Sequence, residues 1–286
     1  MAARVLDGKS LAASVRARSK GEVARLTQRG IRPGLAVVLA GNDPASKVYV
    51  RNKVRACEET GVRSQVFEYD DTVEEPALLE RIAALNADPA VHGILVQLPL
   101  PRGLDGARIL EAVSPDKDVD GFHAGNLGAL VSGSPRFVPC TPAGVMRLIE
   151  LAGVPLAGAR AVVLGRSSIV GKPLALMLIA RGATVTVCNT KTADLAAHTR
   201  MADILIAAAG RPLEPGTVLD GEIVAWGQGE NEAGVLPFAR LQTYLNRKAS
   251  KAAQGLLFAT ERVVCLACDV LERAGEDVRG VPLRER

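Results

Sequence analysis

Apolar residues recur along this chain in two periods, and the two alternate. Residues 11–28 are helical in character. Residues 35–40 (L-A-V-V-L-A) form a continuous apolar run, as expected of a strand buried on both faces. Asp43 and Pro44 have the chemistry of an N-cap and a first helical residue. They open an expected helix to about Thr60, which Gly61 closes. A second strand is expected at 65–69, a helix at 77–86 and a third strand at 93–96. Such alternation implies parallel strands joined by crossover helices.

Between Pro99 and Pro142 the chain turns rich in Gly, Pro and Asp, and a domain junction is expected near 136–142. A helix follows at 144–151, and then a second alternating series. Strands are expected at 161–164, 184–188 and 204–208, with helices at 172–180 and 193–199. There is no tandem repeat. The pattern predicts two α/β domains, the second of them Rossmann-like.

Length agrees: 286 residues correspond to about two domains at roughly 150 residues each. A hydrophobic share of 48% against a net charge of +4 rules out overall disorder. No uncharged apolar run approaches the roughly 18–20 residues of a membrane span, and the N-terminus lacks the apolar core of a secretory signal. Basic and acidic residues are interspersed without a basic block, which argues against a nucleic-acid partner. The five cysteines read as reduced thiols of a cytoplasmic protein. Cys265 and Cys268 form a lone C-x-x-C in an apolar stretch expected to be helical. The three histidines offer no companion set, so two buried helix cysteines is a better reading than a metal site, and no metal is expected.

Two groups of residues stand out as candidate chemistry. The segment 165–173 (G-R-S-S-I-V-G-K-P) lies between a buried strand and a helix, where a dinucleotide fold presents backbone N–H groups to a pyrophosphate. It is not a G-x-G-x-x-G fingerprint, and an ordinary strand-to-helix loop would also fit. The next strand ends in C-N-T-K-T (188–192), with no acid for the ribose hydroxyls of NAD. With Arg166, that favours the extra phosphate of NADP, although solvated loop residues remain an alternative.

Tyr49 and Lys53 lie four apart on the helix from Pro44, hence on one face. A lysine becomes an acid–base group when burial lowers its pKa, and a nearby hydroxyl can orient it. Spacing alone fits a snorkelling surface lysine as well. Gln97 follows the third strand at its carboxyl end, where ligands of open parallel sheets sit. Asp120 lies in the junction loop. Taken alone, a strand-end Gln and a turn Asp are mostly structural.

Five motifs occur in order: Y-V-R-N-K (49–53), V-Q-L-P-L-P (96–101), K-D-V-D-G-F (117–122), P-C-T-P (139–142) and the G-R-S turn (165–167). With them the chain closely resembles the bacterial bifunctional methylenetetrahydrofolate dehydrogenase/methenyltetrahydrofolate cyclohydrolase family, from the N-terminus to about Pro212. The resemblance implies a folate/catalytic domain over 1–138, with a C-terminal helix at about 258–286 packing back on it, and an NADP domain over 139–257. It implies a homodimer. It makes Lys53 the acid–base residue, Tyr49 its neighbour against the folate, Gln97 the partner that tunes the lysine, and Asp120 the residue that holds the pterin. Gly165, Arg166 and Ser167, with Ile169, Gly171, Thr190 and Lys191, would carry NADP. The implied reaction is oxidation of 5,10-methylenetetrahydrofolate, then hydrolysis to 10-formyltetrahydrofolate.

Beyond Pro212 the chain departs from that pattern. A strand at 223–226 is expected to survive, but the family's cofactor-contacting turn is replaced by residues 221–230 (G-E-I-V-A-W-G-Q-G-E). Its glycine- and proline-rich folate loop is replaced by A-Q-G-L-L-F-A (253–259). A helix over 261–273 would match the family's closing helix. The tail fits a diverged working variant, a homologue that binds folate or NADP with one or both activities lost, or a different reading frame joined to a normal front.

Overall fold

This computed structural model describes residues 6–208 in full, and beyond them the backbone of 217–225, 227–228, 233–234, 263–273 and 276–277. The chain divides into two units, Lys9–Cys140 and Met1–Gly8 with Thr141–Arg286.

The first unit runs α1 (Gly8–Gln28), β1 (Gly34–Ala40), α2 (Pro44–Thr60), β2 (Arg63–Tyr69), α3 (Glu75–Ala87), β3 (Gly93–Gln97), α4 (Gly106–Glu111) and α5 (Ala124–Val131). Its sheet is parallel, in the order β2-β1-β3. Side chains alternate across the sheet, so β1 and β3 are apolar on both faces. Ala36, Val38, Ile94 and Val96 pack with Leu78, Ile82 and Leu85 of α3. Val37, Leu39 and Leu95 pack with Val50 and Val54 of α2.

The caps expected for α2 are in place. The Asp43 side chain accepts from Ser46 N at 2.7 Å, and Gly61 adopts the left-handed conformation, φ 86°, that ends the helix. Two helices escaped the hydrophobic pattern. α4 and α5 have six and eight residues, too short to show a period, inside the Gly-, Pro- and Asp-rich stretch. Their caps were the available signal: Asp105 accepts from Ala107 N and Arg108 N, and His123 Nδ1 accepts from Gly125 N.

The second unit follows α6 (Cys140–Ala152) with β4 (Arg160–Leu164), α7 (Gly171–Ala180), β5 (Thr184–Cys188), α8 (Leu195–Arg200), β6 (Ile204–Ala207), β7 (Thr217–Ala225), β8 (Gly227–Gln228), β9 (Ala233–Gly234), β10 (Val263–Arg273) and β11 (Glu276–Asp277). The main sheet has the order β11-β10-β7-β6-β4-β5. β4 pairs parallel with β5 and β6, whereas β7 runs antiparallel to β6. A parallel return needs a crossover of a dozen or more residues, and the link from Ala207 to Thr217 is shorter than that.

The helix expected over 261–273, within the closing helix placed at about 258–286, is corrected by the structure. Residues Val263–Arg273 form β10, paired antiparallel with β7 in the sheet of the second unit. A run such as V-V-C-L-A-C serves a buried strand as well as a helix, and its paired β-branched valines fit a pleated surface better. Cys265 and Cys268 are therefore strand residues, not helix residues. The strand expected at 223–226 begins earlier, at Thr217. Trp226 and the stretch 253–259 lie outside the described residues.

Among the described residues no helix is long and apolar enough to cross a membrane. No group of three or more His, Cys, Asp or Glu among them could hold a metal ion.

The strand starts of the second unit are tied by one ion pair. Asp203 Oδ2 accepts from Arg160 N at 2.8 Å and Nε at 3.0 Å, and Oδ1 from Nη2 at 2.8 Å. The Arg160 side-chain hydrogen bonds hold the Asp203 carboxyl below its usual range. A depressed acid contributes stability that is present above its unfolded pKa and lost as pH falls through its folded one. The pair is partly exposed, so its worth is at most about 1 kcal/mol. Urea melts should show Asp203→Asn less stable than the parent by up to that amount at pH 7, the gap closing below about pH 4. A gap that is unchanged at low pH would contradict this.

Candidate active site

The alternation of β3 decides where Gln97 points. It follows Leu95 by two residues, so it faces α2 rather than α3. Lys53 follows Val50 by three residues on the inner face of α2. The two side chains meet: Lys53 Nζ donates to Gln97 Oε1 at 2.9 Å. Gln97 Nε2 donates to Leu98 O at 2.6 Å. That second bond turns the amide so that its oxygen, an acceptor only, faces the lysine. Ser46, buried on the same helix, donates through Oγ to Leu98 O at 3.4 Å. The segment after β3 is thus held against α2 at two points. Tyr49 lies one helical turn before Lys53 and is half-buried.

Asp120 joins this pair from the loop between α4 and α5. Its carboxyl is pushed above the ordinary range, first by desolvation and then by the like charge of Asp118. The nearby Lys53 pulls the other way. The thiol of Cys140 was not anticipated as part of this group. Cys140 is exposed as a residue, yet its sulfur turns inward, 3.9 Å from Val119 O and 4.0 Å from Asp120 Oδ1. Desolvation and the Asp120 charge raise the thiol's pKa, so it is a weak donor rather than a thiolate nucleophile. The P-C-T-P motif was the sequence signal that could have found it. Lys53, Gln97 and Asp120, taken from a helix, a strand end and a loop, form one centre in which a substrate proton could be moved beside a carboxyl.

The second set of expected residues lies on the other unit. Gly165 follows β4 directly with φ 135°, and a Cβ there would lie 2.2 Å from Ala208 O. A Cβ on Gly171, the first residue of α7, would lie 2.2 Å from Gly165 O. The turn is therefore wrapped backbone on backbone, which only glycine permits. Ser167 Oγ accepts from Val170 N at 3.1 Å and Gly171 N at 3.2 Å, closing the start of α7. Arg166, Ser167 and Ser168 are exposed along the turn, and Ile169 is half-buried.

Gly165 N donates to Cys188 O at 2.8 Å, which sets this turn beside the segment after β5. That segment is a small turn of its own. Lys191 N donates to Asn189 Oδ1 and Asn189 N to Thr192 Oγ1, leaving Thr190 and Lys191 exposed. A glycine-wrapped turn at a helix N-terminus, flanked by Arg166 and Lys191 with no acid between 188 and 192, suits an anionic dinucleotide with an extra phosphate.

A dinucleotide-type turn on one α/β unit and a lysine–amide–carboxyl centre on the other define the class: a two-domain, nicotinamide-dependent enzyme. The comparisons with known proteins agree. Residues 6–120 match the catalytic domain of tetrahydrofolate dehydrogenase/cyclohydrolase, and residues 139–226 match its NAD(P)-binding domain. The Bifunctional protein FolD of Cupriavidus pinatubonensis is 57% identical over 211 residues, covering 74% of this chain and 75% of that protein. The crystal structure of the bifunctional methylenetetrahydrofolate dehydrogenase/cyclohydrolase from Campylobacter jejuni is 46% identical, with a TM-score of 0.72 over 74% of this chain and 75% of that one. A Trypanosoma brucei methylenetetrahydrofolate dehydrogenase-cyclohydrolase, solved with NADP cofactor and inhibitor, is 39% identical, with a TM-score of 0.71 over 73% of each chain. The chain belongs to the tetrahydrofolate dehydrogenase/cyclohydrolase family.

Proposed function

We propose that Lys53 is the proton-transferring residue of this dehydrogenase/cyclohydrolase, with Gln97 orienting its amine, Asp120 holding the pterin and Tyr49 packing beside the folate. The chain oxidises 5,10-methylenetetrahydrofolate to 5,10-methenyltetrahydrofolate with NADP, and hydrolyses that cation to 10-formyltetrahydrofolate. Residues 1–138 carry the folate chemistry and 139–257 the cofactor. The observation that supports the assignment of Lys53 most is its 2.9 Å hydrogen bond to a glutamine oxygen that Leu98 O has already oriented.

The two reactions ask different things of these residues. NADP supplies the hydride-accepting nicotinamide, so the first step needs positioning from the protein more than an acid. In the second, water adds to the methenyl carbon and loses a proton, a ring nitrogen gains one as its bond to that carbon breaks, and the remaining hydroxyl proton leaves to solvent as the formyl C=O forms, so that one proton is released overall. Lys53 can take the first proton and return the second. Arg166, Ser167, Thr190 and Lys191 would hold the phosphates of NADP, on the turn that Gly165, Ile169 and Gly171 shape.

The enzyme works as a cytoplasmic homodimer. β5 ends the main sheet, and the exposure there of Val187 (39%) with Ile179 of α7 (55%) supports a self-contact on that side.

The test is an assay of purified protein with 5,10-methylenetetrahydrofolate and either NADP or NAD, quenched in acid to read methenyltetrahydrofolate. Turnover with NADP is expected, and Arg166→Ala should raise the KM for NADP about tenfold while leaving that for NAD nearly unchanged. Folded protein without turnover on either cofactor would instead favour a folate- or NADP-binding homologue that has lost its chemistry.

A further inference from the structure

Asp118 precedes Asp120 by two residues and was not among the expected site residues. It is 5% exposed, and its Oδ2 accepts from His123 N at 2.8 Å and from Asn126 Nδ2 at 2.9 Å. Asn126, itself 4% exposed, also donates to Pro115 O at 3.0 Å. One buried carboxylate and one buried amide thus close the loop across Asp120, joining its entry at 115 to its exit at 123–126. A buried charge is expensive unless hydrogen-bonded, and an apolar core residue would serve mere packing better. The rest of the loop is pinned as firmly. Ile94 N donates to Lys117 O at 2.7 Å. Lys117 Nζ donates to Leu85 O at 3.0 Å and Asp88 O at 2.8 Å, at the end of α3.

We propose that Asp118 is a positioning residue of the folate reaction, which through Asn126 and the His123 amide holds the loop that carries Asp120 at the Lys53–Gln97 centre. The inference rests on Asp120 holding the folate, as read above. Asp120 is a short side chain, so its reach to a ligand is set by its backbone, and a shift of about 1 Å can lower a rate by as much as 10²-fold. Asp118 acts on it in a second way. Its like charge helps to raise the Asp120 carboxyl, against the pull of Lys53.

Asp118→Ala and Asp118→Asn separate the two effects in the full-length enzyme. Asparagine can keep its oxygen where Oδ2 now accepts both donors, without the charge. Asp118→Ala is expected to raise the KM for the folate substrate about tenfold or more with the KM for NADP unchanged. Asp118→Asn is expected to restore the folate KM to within about twofold of the parent, while the acid limb of its kcat/KM profile moves to lower pH. A merely structural role would not move that limb. If Asp118→Ala does not fold, Asn126→Ala removes one of the two donors and should raise the same KM. A parental folate KM in both Asp118→Ala and Asn126→Ala, while Asp120→Ala raises it, overturns the inference alone. An Asp120→Ala enzyme with a parental folate KM overturns the reading of Asp120 and this inference with it.

Discussion

Replacing Lys53 with glutamine is expected to lower cyclohydrolase turnover by about 10²–10⁴-fold, the range of a lost general acid–base group, in a protein that still folds. Glutamine at 53 has an N–H but no proton to exchange near neutrality, and it is too short to keep the 2.9 Å contact with Gln97 Oε1. The dehydrogenase step should fall less, because hydride transfer depends on the placement of the methylene carbon and the nicotinamide rather than on proton transfer. Two assays on one preparation check this, one following hydrolysis of methenyltetrahydrofolate and the other its NADP-dependent formation. Equal losses in both would move Lys53 from proton transfer to folate binding. Full hydrolysis by the variant would end its assignment altogether.

The second large effect is expected at Gly171→Ala. The added methyl would lie 2.2 Å from Gly165 O, 2.6 Å from Gly165 C and 3.0 Å from Arg166 N. All three are backbone atoms, so no flexible side chain can give way and the turn itself must move. Overpacking of this kind costs about 1–3 kcal/mol, occasionally more. For a chain of this size that corresponds to a fall in Tm of roughly 2–4 °C per kcal/mol. The same movement displaces Arg166 and Ser167, so the KM for NADP should rise about tenfold or more. Cyclohydrolase activity on supplied methenyltetrahydrofolate reports the other unit and should change far less. Calorimetry and the two KM values decide it, and a parental Tm with a parental KM for NADP would mean that the turn can open at little cost.

Several features are readable in the sequence alone. Asp43, Pro44 and Gly61 mark the ends of α2 because caps and helix breakers act through their own backbone neighbours. The strand cores at 35–40, 93–96 and 161–164 were legible because strands covered on both faces must be apolar throughout. α4 and α5 were not, because helices this short carry their information in capping bonds rather than in a period. β10 has the pattern of a helix in the sequence because the partner that makes it a strand, β7, lies some 40 residues earlier in the chain.

The candidate site divides along the same line. Tyr49 and Lys53 share a helix, so their common face followed from spacing alone. The Gly165 turn could be read because strand, turn and helix are consecutive. That Gln97 faces α2 rather than α3 is a matter of parity along β3, and it has meaning only once Leu95 is seen packed on Val50 and Val54. The meeting of Lys53 with Gln97, 44 residues apart, and with Asp120 from a separate loop required the sheet to bring strand end, helix and loop together. So did the burial of Asp118 against Asn126, since nothing in K-D-V-D-G tells an inward aspartate from an outward one. Caps, periods and consecutive turns depend on near neighbours and can be read along the chain, whereas hydrogen bonds and charge interactions between distant residues exist only where the fold closes the distance.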